Sequence, residues 1–192
     1  MIKEMMVNKK ILVDDALECL LMPSDPAHDS LYASMQYSLM AGGKRIRPCL
    51  FLVLLDTLGV DSNLYINVAC ALECVHTYSL IHDDLPGMDN DDYRRGKLAN
   101  HKRYGVGIAT MAGDGLLTYA FELLACENNI SFFKRIALIK ILTAAAGPAG
   151  MVGGQAHDKG AEGKTLSLSE LMFLDPVSYT HLRAHETSQD LV

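Results

Sequence analysis

The chain has 192 residues and a mass of 21.0 kDa, which is enough for one domain. Hydrophobic residues make up 49%, so the chain can bury a core and lacks the composition of a disordered protein. The 17 basic and 23 acidic residues give a net charge of −6, which argues against a nucleic-acid surface. We find neither an apolar run of about 18 residues nor a secretory signal, and therefore expect a cytoplasmic protein without a membrane span.

Helix-forming residues with a 3.6-residue periodicity dominate the chain, and strand signals are nearly absent. Pro and Gly pairs separate the periodic stretches, as they do between helices. The pattern therefore predicts an all-α bundle around a central cavity. The predicted helices cover residues 3–22, 27–40, 48–58, 64–84, 107–126, 130–146 and 149–158, and a last helix begins after Ser167.

The five cysteines are odd in number, and no pair has CxxC spacing. Cys70 and Cys74 lie one helical turn apart in an apolar stretch. This usage favours buried free thiols in a reducing compartment over a metal site or a disulfide framework.

Five aspartates fall within ten positions after an apolar helix. Because like charges repel, such a cluster needs a compensating cation, and oxygen ligands without cysteine favour Mg²⁺ bridged to substrate phosphates. Arg94 and Arg95 follow directly, and guanidinium groups suit diphosphate oxygens. The pattern therefore indicates a diphosphate substrate, with a solvated acidic loop as the alternative. The aspartates are Asp83, Asp84, Asp89, Asp91 and Asp92.

The spacing within this cluster suggests how two carboxylates can share one metal ion. Asp83 and Asp89 are six positions apart, so in an unbroken helix they would face different directions. If Pro86-Gly87 bulges out as an insertion, Asp89 returns to an i+4-like relation with Asp83. Both carboxylates could then hold Mg²⁺ from one side. His76, seven residues before Asp83, would lie on the same helix face, although a structural histidine is the alternative.

A second motif, Gly42-Gly43-Lys44-Arg45-Ile46-Arg47-Pro48, places three cations behind a glycine pair at a helix start. It is not a P-loop, because Lys44 is followed by Arg rather than Ser or Thr. Exposed N–H groups at a helix start also attract anions. The motif is either a solvated basic turn or an anion site. Together with the aspartates, it suggests two anionic substrates, one held through metal and one held directly.

These motifs resemble the trans-prenyltransferases, or polyprenyl diphosphate synthases, and most resemble the bacterial farnesyl diphosphate synthases. The glycine–cation motif resembles the family's first signature, and Asp83–Asp89 resembles its first aspartate-rich motif with two inserted residues. Arg94-Arg95-Gly96-Lys97 and Asn100-His101-Lys102 continue the likeness. So do three further stretches: Met111–Leu117, Met151–Ala156 and Ala161–Lys164.

The resemblance implies an isoprenoid-synthase helical bundle, Mg²⁺ dependence and a homodimer. The implied reaction joins isopentenyl diphosphate head-to-tail to dimethylallyl or geranyl diphosphate, giving farnesyl diphosphate. Asp83 and Asp89 would hold Mg²⁺, assisted by Asp84, and Arg94 would contact the allylic diphosphate. Isopentenyl diphosphate would be held by Lys44, Arg47, His76 and Arg95.

Product length is a further expectation from this resemblance. Tyr78 and Ser79 lie five and four residues before Asp83, roughly 6–7.5 Å along a helix axis. A chain growing down the bundle would meet Tyr78, and a bulky residue here resembles a floor that stops growth at fifteen carbons. The alternative is that Tyr78 is an ordinary core residue.

The resemblance ends near Asp175. Residues 1–175 are expected to form the N-terminal part of a polyprenyl synthase domain, and residues 176–192 a tail foreign to the family. The second aspartate-rich motif is absent from the sequence. We therefore expect the 192-residue chain to be inactive or nearly so, and to aggregate through uncovered apolar surface.

Three other functions are compatible with parts of the sequence. The first is the same chemistry with a geranyl or geranylgeranyl diphosphate product. The second is a non-catalytic partner subunit of a prenyl synthase. The third is an HD-type metal phosphohydrolase, suggested by His82-Asp83, which leaves the two cationic motifs unexplained.

Overall fold

Helices account for most of the chain that the computed structural model describes, which is residues 2–23 and 25–162. This confirms the all-α prediction, and most predicted bounds are within a few residues. The predicted helix after Ser167 lies outside the described residues. The helices are α1 (Ile2–Leu20), α2 (Asp29–Leu39), α3 (Ile46–Thr57), α4 (Ile66–Asp83), α5 (Asn100–Tyr104), α6 (Val106–Ala125), α7 (Phe132–Ala146) and α8 (Met151–Ala161).

The chain divides into two units, Met1–Arg135 and Ile136–Val192. The first unit holds α1 to α6 and the beginning of α7, and it contains every residue of the predicted site. The second unit holds the remainder of α7 and the whole of α8. The predicted boundary between residues 175 and 176 lies outside the described residues.

α4 is the core helix of the first unit and packs against α1, α2, α3 and α6. Its apolar residues cover all sides rather than one stripe, which is the pattern of a helix buried on every face. Most of its side chains are buried, from Val68 to Ile81. The helix ends at Asp83 because Pro86 cannot continue it and restricts the residue before it. Its carboxyl end therefore carries the aspartate cluster.

A short antiparallel hairpin was not predicted. Strands β1 (Tyr93–Arg94) and β2 (Lys97–Leu98) pair with Arg94 opposite Lys97. The two linking residues have positive φ angles, 53° at Arg95 and 74° at Gly96, which is the geometry of a type I′ turn. Two-residue strands are too short to show alternation, so the pattern of the sequence could not reveal them. The hairpin places the two arginines at its turn.

The cysteines are only partly as predicted. Cys49, Cys70 and Cys74 are buried, whereas Cys19 and Cys126 are exposed. Burial raises the pKa of the Cys49 thiol to about 11 and that of the Cys70 thiol to about 12, and it also raises the pKa of Cys74. The buried thiols are therefore poor nucleophiles at neutral pH.

We expect two of the five thiols to react rapidly with a water-soluble disulfide reagent at pH 8, because thiolate formation and exposure both control the rate. The other three should react only after denaturation. Absorbance of the released thiolate in native and denatured protein measures both numbers. Rapid labelling of four or five thiols in native protein would contradict the packing around α4.

Two helical stretches meet the length and hydropathy of a membrane span, Ser62–Asp83 and Phe132–Ala161. The prediction that the chain has no apolar run of about 18 residues is therefore wrong for both stretches. In the first, 72% of the apolar window is buried, and in the second 17%. A buried core helix of a globular protein passes the same test, so the first stretch needs no membrane. The absence of a membrane span stays a prediction.

Candidate active site

The first aspartate motif forms a closed turn at the end of α4. The backbone N–H of Asp89 donates to the carbonyl of Asp83 at 2.9 Å, as the residue at i+4 would in a continuing helix. Met88 and Asn90 both donate to the Leu85 carbonyl, at 2.8 and 3.1 Å. The predicted bulge is confirmed, because Asp89 occupies the hydrogen-bonding place of residue i+4.

Asp84 has a different role from Asp83. It is buried, and Arg94 Nε donates to both of its carboxylate oxygens at 3.0 and 3.2 Å, while Arg94 Nη2 also contacts Oδ1. Burial raises the pKa of Asp84 above its usual range, although the hydrogen bonds from Arg94 lower it. Arg94 thus directs one edge of its guanidinium to Asp84, which ties the hairpin to the end of α4.

The glycine–cation loop presents fewer cations than predicted. Arg45 is buried, with an exposed fraction of 3%, and its backbone is left-handed at φ 49°. Its guanidinium donates to Asp14 Oδ1 at 2.8 Å and to Glu73 Oε1 at 2.7 Å, and also contacts the Leu39 carbonyl. The prediction that three cations face a substrate anion is therefore wrong for Arg45, because its guanidinium is paired with Asp14 and Glu73 inside the core.

The other two cations of the loop remain at the surface of the fold. Lys44 is exposed, and Arg47 is half-buried in the first turn of α3. Burial therefore excludes neither side chain from contact with a substrate anion. Arg45, anchored between them, fixes the backbone from which they project.

Arg95 joins the two cationic motifs. Its Nη1 donates to the Gly42 carbonyl, and its guanidinium lies so close to Gly43 that a Cβ there would sit 2.8 Å from Arg95 Cζ. Gly43 also has a φ of 126°, which favours glycine. Gly43 therefore leaves the space that the Arg95 guanidinium occupies, and the hairpin and the loop before α3 meet at this contact.

The remaining predicted residues lie along α4. His76, Tyr78 and Ser79 are all buried, and the Ser79 hydroxyl donates to the His76 carbonyl at 2.8 Å. The Tyr78 ring packs edge-to-face on His82, with ring centroids 5.7 Å apart. Burial, with a smaller contribution from Asp83, raises the pKa of Tyr78. Tyr78, the residue predicted to limit product length, therefore lies on α4 about one turn before Asp83.

A cleft of about 350 Å³, part of it open to solvent, lies beside the hairpin. It is bordered by Thr77 and Ile81 of α4, by Asp84 just after that helix, and by Arg94 and Arg95. Asp83, Asp89 and Tyr78 do not line it. The predicted cavity below Asp83 is therefore not this cleft, and it stays a prediction.

The donor set is compatible with Mg²⁺. Within residues 2–23 and 25–162, no group of three or more histidine, cysteine or carboxylate side chains comes together to form a metal site. Mg²⁺ commonly binds through one or two carboxylates plus substrate phosphates, and the closed turn brings the backbone of Asp89 next to that of Asp83. The assignment of Asp83 and Asp89 as metal ligands stays a prediction.

The HD-type alternative loses support from the same geometry. His82 Nε2 is hydrogen-bonded to the Thr110 carbonyl at 3.0 Å, on α6, and lies 3.7 Å from Asp114. Such a site needs His82 and Asp83 to converge with a further histidine and aspartate, and no such group occurs in the described residues.

Comparison with known proteins agrees with this fold. The polyprenyl synthetase family model matches residues 28–180. The chain is 58% identical over 146 residues to the farnesyl diphosphate synthase of Geobacillus stearothermophilus, which covers 75% of this chain and 49% of that protein. It is 52% identical over 145 residues to the farnesyl diphosphate synthase of Bacillus subtilis, covering 74% and 49%. A geranylgeranyl diphosphate synthase of Cyanophora paradoxa is 44% identical over 86% of this chain and 55% of its own length.

Solved structures show the same fold. An FPP/GFPP synthase from Zymomonas mobilis superposes with a TM-score of 0.85 at 40% identity, over 91% of this chain and 64% of that one. A geranyltransferase from Helicobacter pylori, complexed with magnesium and isoprenyl diphosphate, gives a TM-score of 0.81 at 36% identity, over 90% and 58%. The chain is a helical protein of the isoprenyl synthase fold, and it belongs to the polyprenyl synthetase family. It spans about half the length of the curated relatives it matches.

Proposed function

We propose that this chain carries the first aspartate site of a prenyltransferase, which condenses isopentenyl diphosphate with an allylic diphosphate. The observation that carries the proposal is the hydrogen bond from Asp89 N–H to the Asp83 carbonyl, because it brings the backbones of the two aspartates together at the end of α4, where Asp84 binds Arg94. Family membership supports the same reaction class.

The chain's own residues have distinct tasks in this proposal. Asp83 and Asp89 would hold Mg²⁺, which when bound stabilises negative charge on a leaving diphosphate. Arg94, which Asp84 orients, would contact that diphosphate. Lys44, Arg47, Arg95 and His76 would hold the second diphosphate.

The proposed bond changes are those of a head-to-tail condensation. The allylic carbon–oxygen bond breaks, and its electron pair leaves with the diphosphate. The isopentenyl double bond attacks the resulting cation, and a proton is lost from the adduct. Apolar side chains of α4 that border the growing chain would exclude water and offer no competing nucleophile to the cation.

Calorimetry on this chain tests the proposal, with geranyl thiolodiphosphate as a slowly ionising probe. We expect saturable binding in the presence of Mg²⁺ and much weaker binding in its absence, because the carboxylates repel the diphosphate unless a cation bridges them. Absence of binding under both conditions would contradict the proposed function.

We propose farnesyl diphosphate as the product, with geranyl or geranylgeranyl diphosphate as alternatives. The support is the identity of 47–58% to three bacterial proteins named farnesyl diphosphate synthase, against 44% to a geranylgeranyl diphosphate synthase. Chromatography of radiolabelled products of the complete enzyme distinguishes chains of ten, fifteen and twenty carbons.

Tyr78→Ala is expected to lengthen the products of the complete enzyme beyond fifteen carbons. The buried ring lies one turn below Asp83, and removing it opens space along α4 in the direction of chain growth. Reversed-phase chromatography measures the product length. Tyr78→Phe keeps the ring and is the matched control. If the Ala and Phe variants give the same product length, Tyr78 is an ordinary core residue.

Assembly and location are further proposals. We propose a cytoplasmic homodimer, against the alternative of a non-catalytic subunit paired with a complete synthase. Sedimentation of the purified protein measures whether it forms a homodimer. Co-purification with a larger synthase would favour the non-catalytic subunit.

A further inference from the structure

The hairpin with Arg94 and Arg95 is fastened to α2 by side chains that the proposed chemistry does not use. Asn100, the first residue of α5, is buried with an exposed fraction of 2%. Its Nδ2 donates to the Ser34 carbonyl at 2.9 Å and to Ser38 Oγ at 2.8 Å, and its Oδ1 accepts from Ser34 Oγ at 2.7 Å. All three side-chain bonds therefore end on one stretch of α2.

Tyr37 adds a second attachment from the same helix. Its hydroxyl donates to the carbonyl of Leu98, the last residue of β2, at 2.8 Å. Its ring packs edge-to-face on Tyr104, with centroids 5.6 Å apart, and the Arg103 guanidinium lies 4.6 Å from the ring centre. The end of the hairpin is thus held at Leu98 and Asn100, two residues apart.

The turn of this hairpin adopts a conformation that needs support. Arg95 has a φ of 53°, in the left-handed region that non-glycine residues adopt only at a cost in free energy. Such a conformation persists where surrounding contacts enforce it. The contact of Arg95 with Gly42 and Gly43 is one such restraint, and the attachments to α2 are further ones.

We propose that Asn100 and Tyr37 are positioning residues, which hold the hairpin so that Arg95 meets the Gly42-Gly43 loop. The consequence for binding rests on the proposed function, because Arg95 is assigned there to the isopentenyl diphosphate. With the hairpin loosened, Arg95 leaves its place beside the loop that bears Lys44. The affinity for the diphosphate then falls, because its partner Arg95 is displaced.

Hydrogen exchange measured by mass spectrometry tests the positioning directly on this chain. The amide of Ala99 donates to the Asp92 carbonyl at 2.9 Å and reports on the base of the hairpin. Asn100→Asp removes two donated bonds, and we expect exchange across residues 93–99 to accelerate about tenfold. Tyr37→Phe removes one hydrogen bond at an accessible side chain, and we expect exchange across the same residues to accelerate about threefold. Thr118→Val removes a hydroxyl bond on α6 and is the control without an effect on the hairpin.

Calorimetry with isopentenyl diphosphate supplies the second readout. We expect the dissociation constant to rise about tenfold in Asn100→Asp and about threefold in Tyr37→Phe. The urea midpoint of Tyr37→Phe should stay at that of the wild type, which separates positioning from general destabilisation. If hairpin exchange is unchanged in Tyr37→Phe, the positioning role is overturned. This test holds even if Asn100→Asp fails to fold. A wild-type chain that does not bind isopentenyl diphosphate would instead contradict the proposed function.

Discussion

Asp83→Asn is expected to weaken Mg²⁺-dependent binding of geranyl thiolodiphosphate by about 100-fold or more. Loss of a group that merely supports a metal ligand already lowers metal affinity by about 10–100-fold, and loss of a ligand should do at least as much. The substitution keeps the shape of the side chain and removes its charge. Calorimetry at fixed Mg²⁺ concentration measures the change, and Asp89→Asn should behave alike because the closed turn pairs the two residues.

Asp92→Asn is the matched control for this experiment. Asp92 belongs to the same acidic cluster, but it is exposed and forms an ion pair with Lys102 at 2.6 Å. Its loss changes the net charge equally and should leave binding unchanged. Equal weakening in Asp83→Asn and Asp92→Asn would mean that only the overall charge of the cluster matters, contrary to a two-carboxylate site.

Arg45→Met is expected to destabilise the first unit by about 3–5 kcal/mol, because it leaves the buried carboxylate of Glu73 without its cation. Glu73 has an exposed fraction of 2%, so water cannot replace the lost partner. The change also frees the left-handed backbone at residue 45, and with it the loop that presents Lys44 and Arg47. Urea unfolding followed by circular dichroism measures the loss of stability.

Lys10→Met separates this effect from the loss of any long cation. Lys10 also pairs with Asp14, but it does so one helical turn away on the partly exposed face of α1. Exposed pairs of this kind contribute about 0.3–0.5 kcal/mol, so the control should be nearly neutral. A loss below about 1 kcal/mol in Arg45→Met would show that its buried bonds do not hold the fold together.

The helices and the aspartate turn were accessible from the sequence because their signals are local. Periodicity and the stops at Pro and Gly define α1 to α4, and a two-residue insertion with Pro86 suffices to predict that Asp89 returns toward Asp83. Each of these features involves residues close together in the chain, whose geometry follows from helical spacing.

Arg45 and Asn100 show where such reasoning stops. Arg45 sits among cations in a glycine-rich loop, and its burial depends on Asp14 and Glu73, which are 31 and 28 positions away. The partners of Asn100 on α2 are more than 60 positions away. Neither partnership leaves a periodic trace in the sequence, because only the packing of α1, α2 and α4 brings these groups together.

Paramagnetic broadening by Mn²⁺ in the presence of inorganic diphosphate locates the proposed metal site. Mn²⁺ accepts the same oxygen ligands as Mg²⁺ and broadens amide signals near its site. We expect the strongest broadening at Asp83 and Asp89, with weaker broadening at Gly43 and Arg95. Broadening centred on any other acidic surface, or none at all in the presence of diphosphate, would contradict a metal site at the Pro86-Gly87 turn.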